Sequence, residues 1–146
     1  MEQHIELRVD LGGVEPVHAE PIGGRYRLTH SPGLVYGVAA GDEIEVLEGG
    51  EFRVVSRGGN LVIRVLTADG VSSFAEQLEA QVRDAIGGRL DGRDTNLLVF
   101  TVPVKTGFPK VERLFETLRE NRTGIHWEFG NVYDSDGHEL GWWNEV

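Results

Sequence analysis

Five glycine pairs set the strictest limit on how this chain can fold, because each pair ends a regular element and permits a tight turn. The pairs lie at residues 12–13, 23–24, 49–50, 58–59 and 87–88. Several segments between them alternate apolar and polar residues, which is typical of strands with one buried face. We therefore predict that the first sixty residues form a meander of short strands, closed or half-closed into a small barrel.

The apolar faces of these segments locate the predicted strands. In residues 4–11 every second residue from Ile5 onward is apolar and points one way, while the residues between them point to solvent. The same reasoning predicts strands at 25–30, 42–47, 51–57 and 61–66, a second extended piece at 14–19 and a short buried run at 34–40.

The spacing of apolar residues becomes helical in the second half of the chain. A first helix is predicted at 73–86, where Ser73 and Glu76 have the spacing of a capping box and a glycine pair ends the repeat. A second is predicted at 109–121, because Pro109 suits the first turn of a helix and an apolar stripe follows it. A hairpin-like piece at 89–95, a central strand at 97–104 and a last strand at 125–133 complete this part.

Together these elements predict an α+β protein made of two closely packed halves, since no linker is visible between them. Residues 1–59 form the β-rich, barrel-like half. Residues 60–146 carry a strand, helix, strand, strand, helix and strand, which is the order of ferredoxin-like (βαββαβ) folds. The predicted interior contains Leu7, Ile44, Val46, Phe52, Ile63, Phe74, Leu78, Val99, Val102, Leu114, Phe115 and Leu118.

The charge of the chain limits its partners. It has 24 Asp and Glu against 14 Lys and Arg, a formal net charge of −10. Binding to nucleic acid or to anionic lipid needs a basic face, so we expect neither partner. A strongly acidic surface favours a basic protein partner, or serves solubility alone.

The chain has no cysteine, which excludes disulfides, thiolate zinc sites, iron–sulfur clusters and cysteine nucleophiles. We expect no cofactor and no metal. The N-terminal residues lack the basic and apolar regions of a signal peptide, and no apolar run approaches the roughly 20 residues of a membrane helix. These features predict a cytoplasmic protein of bacterial origin.

One pair of residues could carry catalysis. His126 and Glu128 share a face of the last predicted strand and could act as an acid/base pair in a small-molecule hydrolase or transferase, joined by His30. The solvent face of any strand can show the same pattern, and no third metal ligand is evident. The His-x-Glu pattern of deaminases also requires two cysteines. No glycine pair belongs to a phosphate-binding loop, and no serine lies in a nucleophile elbow.

The C-terminal segment 133–145 is the predicted partner-binding surface, because it combines aromatic and acidic residues without Lys or Arg. Trp142 and Trp143 are the predicted anchors, since large aromatic side chains dominate interface hot spots. The predicted surrounding residues are Tyr133, Asp134, Asp136, Glu139 and Glu145. The alternative is that the tryptophans cover the edge of the core and the acids are only solvated.

Part of this segment resembles a metal-binding loop, and a second acidic group lies on the meander. Residues 134–139 resemble part of a calcium loop, but the EF-hand loop is longer and ends in a glutamate that has no counterpart here, so a tight acidic turn is the better interpretation. Glu43, Glu45 and Glu51 on the meander are the second choice for partner binding.

The chain resembles the bacterial domain of unknown function (DUF) family 4265 over most of its length. The residues that carry the resemblance lie mainly at turns and in core strands: Val14–Pro16, Arg25–Leu28, Ser31-Pro32, Tyr36–Ala39, Gly41-Asp42, Gly59-Asn60, Val62–Val65, Val102-Pro103, the helix after Pro109, and Trp127–Gly130. They specify a fold and no catalytic residue. Small, acidic, cysteine-free proteins of this kind often resemble immunity proteins, which neutralise a toxin. We therefore expect a non-catalytic, immunity-type inhibitor that binds a basic toxin or effector domain.

Overall fold

Two antiparallel sheets and two helices make up the structure, a computed structural model that describes residues 1–145. The strands within that range are β1 Gln3–Arg8, β2 Val14–Ile22, β3 Arg25–Leu28, β4 Glu43–Val46, β5 Phe52–Ser56, β6 Asn60–Thr67, β7 Arg89–Asp94, β8 Leu97–Pro103 and β9 Ile125–Phe129. The helices are α1 Ala75–Ile86 and α2 Phe108–Asn121. The protein is therefore α+β, as predicted.

The first sheet contains β1 to β5 in sequence order, each strand antiparallel to the next. It is an open meander, so the prediction of a closed barrel is wrong. Within the described residues β1 does not pair with β5, because the turn after β4 occupies the edge of β1. At that turn Gly50 has φ +81°, and a Cβ there would lie 3.2 Å from the backbone N of Arg8.

The second sheet has the order β7-β8-β6-β9, again antiparallel throughout. Both helices pack on one of its faces. Leu61, Ile63 and Val65 of β6 join the helices in the larger core. The intervening Val62 contacts the first half through a small cluster with Ala39 and Val99. Strand β6 is therefore covered on both faces, which explains its nearly continuous apolar sequence.

Most of the predicted interior is confirmed. Leu7 and Ile44 are buried in the core of the first half. In the second half Ile63, Phe74, Leu78, Val99, Val102 and Phe115 are buried. Four of the predicted core residues, Val46, Phe52, Leu114 and Leu118, are only partly buried and pack at the rims of the two cores.

The helices lie where they were predicted, but the predicted capping box is wrong. Helix α1 starts at Ala75 after Phe74, whose position has no side-chain cap, and Ser73 instead lies 3.5 Å from the guanidinium of Arg122. Gly87 ends the helix in the left-handed conformation, as predicted. Within residues 1–145, neither helix has the length and apolar character needed to span a membrane.

The last strand is shorter than predicted because a side chain replaces the backbone in its pairing. Strand β9 ends at Phe129. Two residues later the Asn131 amide accepts a hydrogen bond from the N–H of Val62 (2.9 Å) and donates one to the carbonyl of Asn60 (2.8 Å). The buried Asn131 therefore continues the ladder through its side chain while its own backbone turns away.

A buried carboxylate explains the Gly41-Asp42 motif. Asp42 is 1% exposed, and its two oxygens accept hydrogen bonds from the backbone N–H groups of Ala39 (3.0 Å) and Gly58 (2.8 Å) and from the Arg57 guanidinium (3.2 Å). These contacts hold the turn after residue 39 against the turn that precedes β6. The motif therefore stabilises the end of the first half, where the chain enters β6, and its carboxylate is buried.

Candidate functional site

A guanidinium buried between the two halves fixes the segment 31–40. Arg64 of β6 is 2% exposed. It donates to the carbonyl oxygens of Pro32 (3.2 Å) and Val35, and its Nη1 lies 3.4 Å from the Glu128 carboxylate. Burial lowers the pKa of Arg64, and the Glu128 carboxylate opposes this shift. The buried guanidinium therefore positions the loop that contains Pro32 and Val35 against the second sheet.

Tyr36 completes this network from the other side. Its hydroxyl donates to the two carboxylate oxygens of Glu128, at 2.9 and 2.7 Å, and its ring lies over the Arg64 guanidinium at 4.7 Å from the ring centre. Burial and the Glu128 hydrogen bond raise the pKa of Tyr36. The carboxylate of Glu128 is thus engaged by Tyr36 from the first half and by Arg64 from the neighbouring strand of its own sheet.

The predicted acid/base pair does not converge on a common partner. His126 and Glu128 lie on the same face of β9, opposite Leu66 and Arg64 of β6. His126 is exposed, and its side chain makes no hydrogen bond within residues 1–145. His30, the proposed third member, lies against His18 of the first sheet. Glu128 therefore serves the loop contact, and His126 stands apart from it.

An open groove of about 570 Å³ runs beside β9, and we call it the β9 groove. Four aromatic side chains line it: Tyr36, Trp127, Phe129 and Tyr133. Three carboxylates, those of Asp10, Glu128 and Asp134, also line it, and within the described residues no Lys, Arg or His does. Leu11, 97% exposed, stands at its margin. The groove therefore combines apolar rings with negative charge.

The predicted binding segment 133–145 is divided between the β9 groove and the core. Tyr133, 46% exposed, and Asp134 line the groove. Trp142 is 6% exposed, and its indole N–H donates to the carbonyl of Asn131 (2.8 Å). Trp143 is half-buried against Phe108, with their ring centres 5.2 Å apart. Neither tryptophan lines the groove, so the two predicted anchors stabilise the core edge instead.

Residues 134–139 form a tight acidic turn. The Asp134 carboxylate accepts hydrogen bonds from the backbone N–H groups of Asp136 and His138, both at 2.9 Å, and the bond from His138 is the main contact that lowers the pKa of Asp134. Tyr133 pairs with Glu139 across the turn. Asp136, Glu139 and Glu145 are exposed and lie outside the β9 groove. The turn contributes Asp134, Ser135 and Gly137 to the groove lining, next to Tyr133.

Three histidines that sequence reasoning did not connect lie together at the edge of the first sheet. His4 of β1 is directly opposite His18 of β2, and their ring centres are 4.3 Å apart. His30, which follows β3, lies 4.5 Å from His18. Glu2 reaches both His18 and His30. The pairing of His4 with His18 follows from the hairpin register, but His30 could be placed only once the path after β3 was known.

A second open groove, about 760 Å³, lies between the exposed faces of α1 and α2, and we call it the helix groove. Its floor is apolar and includes Leu78, Leu114 and Leu118, and its basic lining residues are Lys110, Arg113 and Arg122. No acidic residue of the described chain lines it. This helix groove has the opposite charge from the β9 groove, so the two would select different partners.

The sequence profile described as Domain of unknown function (DUF4265) matches residues 15–127. The chain belongs to this family. A search of functionally curated proteins found no match. The DUF4265 match contains His18, His30, Tyr36 and Arg64, and it ends one residue before Glu128.

The DUF4265 fold also occurs in a solved structure with a very different sequence. A structure described as the novel crystal structure of a hypothetical protein from Neisseria gonorrhoeae aligns with a TM-score of 0.67 at 14% identity. The alignment covers 89% of this chain and 94% of that protein. At this level of identity the likeness establishes the fold alone.

Proposed function

We propose that this protein is a non-catalytic binding module that holds a basic segment of another protein in the β9 groove. The observation that carries the proposal is the lining of that groove, where aromatic rings and carboxylates meet without any cationic side chain. Such a surface is complementary to lysine and arginine side chains, which bind carboxylates through their charge and aromatic faces through cation–π contact.

Different side chains of the groove contribute to the affinity for a partner and to the rate of association. Tyr133 is exposed and projects beside Phe129, so it can cover a partner's apolar side-chain stem. Asp10 lies on the turn after β1, at the margin of the groove, where its charge can steer a cationic partner. Glu128 is already held by Tyr36 and Arg64, so we assign it a smaller part in binding.

An unpaired strand edge supports an extended partner. Strand β9 is at the edge of its sheet, and among residues 1–145 its only strand partner is β6. Its other edge presents backbone N–H and C=O groups beside the groove, and an extended peptide can add to such an edge by backbone hydrogen bonds. The alternating side chains of the peptide would then face the aromatic lining.

The biological setting that we propose is that of an immunity-type inhibitor of a basic toxin or effector domain. The support is the formal net charge of −10 together with the cation-free groove. A basic toxin surface that binds nucleic acid would be attracted to the same carboxylates. We do not advance the alternative of a hydrolase or transferase that uses His126 and Glu128, because Glu128 is engaged by Tyr36 and Arg64 and His126 lies apart from them.

We also propose that the second half is a ferredoxin-like unit. Its elements run β6, α1, β7, β8, α2 and β9. In the sheet β8 lies between β6 and β7, as the third strand of a split βαβ unit does. The helices on one face leave the opposite face to the first half.

Nuclear magnetic resonance with peptide probes would test the binding function. A backbone-amide titration with an extended peptide that alternates lysine and leucine should shift the resonances of Trp127, Phe129 and Tyr133, and a peptide with glutamate in place of lysine should not. Shifts confined to the helix groove, or equal shifts with both peptides, would overturn the proposal.

Matched variants would separate groove binding from general acidity. We expect Asp10→Asn with Tyr133→Ala to weaken binding of the lysine peptide at least tenfold, because a contact and a steering charge are both lost. Glu112→Gln removes an exposed carboxylate of α2 that does not line the groove, and should leave the affinity unchanged. Equal losses in the two proteins would show that only net charge matters.

A further inference from the structure

We propose that Glu2, His18 and His30 form a binding site for a divalent cation of the zinc class. The three side chains come from the start of β1, from β2 and from the turn after β3. Each of them offers one donor atom, and the three donor atoms lie within 4.8 Å of one another. The site is distinct from the β9 groove and does not depend on its function.

The distances suit direct coordination. One Glu2 oxygen lies 3.1 Å from His18 Nδ1, and the other lies 3.7 Å from His30 Nδ1. Zinc binds imidazole nitrogen and carboxylate oxygen at about 2.0–2.2 Å, which places neighbouring ligands of a tetrahedral site about 3.4 Å apart. The separation of Glu2 and His18 is already close to this spacing, and small side-chain rotations would bring the remaining donor, within 4.8 Å of the others, to the cation.

Neighbouring groups hold the ligands in place. The Thr29 hydroxyl donates to Glu2 at 2.7 Å, so it orients this ligand, and its 3.0 Å contact with His30 Nδ1 would give way to the cation. The His4 ring packs against His18 on the side away from His30 in the row of three rings. Hydrogen-bonding partners of this kind fix the orientation of metal ligands and raise metal affinity.

The donor set selects the cation class. Two imidazoles and one carboxylate suit zinc and neighbouring transition metals, whereas calcium and magnesium prefer all-oxygen sites. Three protein ligands leave a fourth position for water or a small anion. His18 and His30 also line a cleft of about 210 Å³ between the two halves, opposite Asp91 and Arg93, so an exogenous ligand could reach the site from there.

Calorimetry on the untagged chain would test the site. Titration with Zn²⁺ should show one cation bound per chain, and Glu2→Gln, His18→Ala and His30→Ala should each weaken binding at least tenfold, since loss of an orienting partner alone costs about that much. His126→Ala and His138→Ala remove exposed histidines elsewhere and should leave the affinity unchanged. An equal loss in these two variants would overturn the proposal.

Two further measurements exclude indirect explanations. Zn²⁺ should raise the melting temperature of the wild-type protein, because a ligand that binds only the folded state stabilises it, and should not raise that of the His18→Ala/His30→Ala double variant. Co²⁺ bound in the same place should give a visible spectrum of four- or five-coordinate type, which the double variant lacks. An octahedral spectrum in both proteins would show only weak surface binding and would contradict the assignment.

Discussion

The hydroxyl of Tyr36 donates to both oxygens of the Glu128 carboxylate across 92 positions of sequence. This contact ties the loop that follows β3 to the edge strand of the second sheet. It also places the Tyr36 ring over the Arg64 guanidinium and at the side of the β9 groove. One tyrosine therefore contributes to the junction between the halves and to the proposed binding surface.

Tyr36→Phe should reduce the free energy of unfolding by about 1–2 kcal/mol. A hydrogen bond to a charged group contributes about 1.5–3 kcal/mol, and the partial exposure of Glu128 reduces that value. Urea unfolding would measure the change. Tyr26→Phe is the matched comparison, because the Tyr26 hydroxyl makes no hydrogen bond within residues 1–145, and its effect should stay within about 0.5 kcal/mol. Equal effects would mean that the Tyr36 bond adds nothing.

Gly58→Ala should destabilise the protein by about 1–3 kcal/mol, as overpacking of a tight contact does. A Cβ at this position would lie 2.5 Å from the backbone carbonyl carbon of Gly41, and backbone atoms cannot rotate away as a side chain can. Gly92→Ala provides the comparison, because its nearest new contact would be the Val99 side chain at 3.4 Å. Thermal unfolding of the two variants should separate them clearly, and a stable Gly58→Ala protein would refute the close approach.

Trp142→Ala should cost about 3–5 kcal/mol of folding stability, in the range of buried aromatic truncations. The substitution removes a ring from the core edge and leaves the Asn131 carbonyl without its indole donor. Chemical denaturation followed by circular dichroism would measure the loss. A variant that keeps wild-type stability but loses a partner would instead restore Trp142 as an interface anchor.

The indole of Trp127 should report the titration of Glu116. Its N–H donates to a Glu116 oxygen at 2.8 Å, while Arg119 hydrogen-bonds to the other oxygen. The Arg119 bond, and then the Trp127 bond, hold the pKa of Glu116 below its usual range. A lowered folded-state pKa means that the contact is complete above the ordinary glutamate pKa and is lost as the pH falls through the lower value.

Proton resonances of the indole N–H would measure this titration. We expect the Trp127 signal to change only below the ordinary glutamate pKa of about 4.3. In Glu116→Gln the same signal should not titrate in that range. A midpoint at or above the ordinary value in the wild-type protein would contradict the lowered pKa.

Local sequence patterns were sufficient to predict most of the helices and strands. The β-branched sequence of β8 and the apolar stripe of α2 each predict their own structure, because the signal lies within one element. Closure of the first sheet could not be predicted, since it depends on whether β1 meets β5 or the turn before it. The site residues could not be predicted for the same reason, because they meet through contacts between segments that are far apart in the sequence.

The burial of Arg64 and the gathering of His18 with His30 show why the sites were missed. From the sequence alone, an arginine within an apolar strand is expected to lie where it can reach solvent. Its burial can be understood only when the loop at Pro32 and Val35 is known to supply its acceptors. The histidines come from separate strands, so no spacing in the sequence joins them. In contrast, composition alone directed attention to Tyr133 and Asp134, because the segment that contains them is rich in aromatic and acidic residues, and their part in binding stays a prediction.

The enclosure of Arg64 constrains how relatives of this chain can diverge. If the arginine alone is replaced, two loop carbonyls lose their donor and Glu128 keeps only the hydroxyl of Tyr36 as a donor within residues 1–145. If the carboxylate alone is replaced, a buried positive charge loses its counter-ion, which is a costly intermediate. Joint replacement by apolar residues of similar volume is often neutral. Positions 36, 64 and 128 should therefore change together in evolution. Each relative should keep all three residues or have replaced all three.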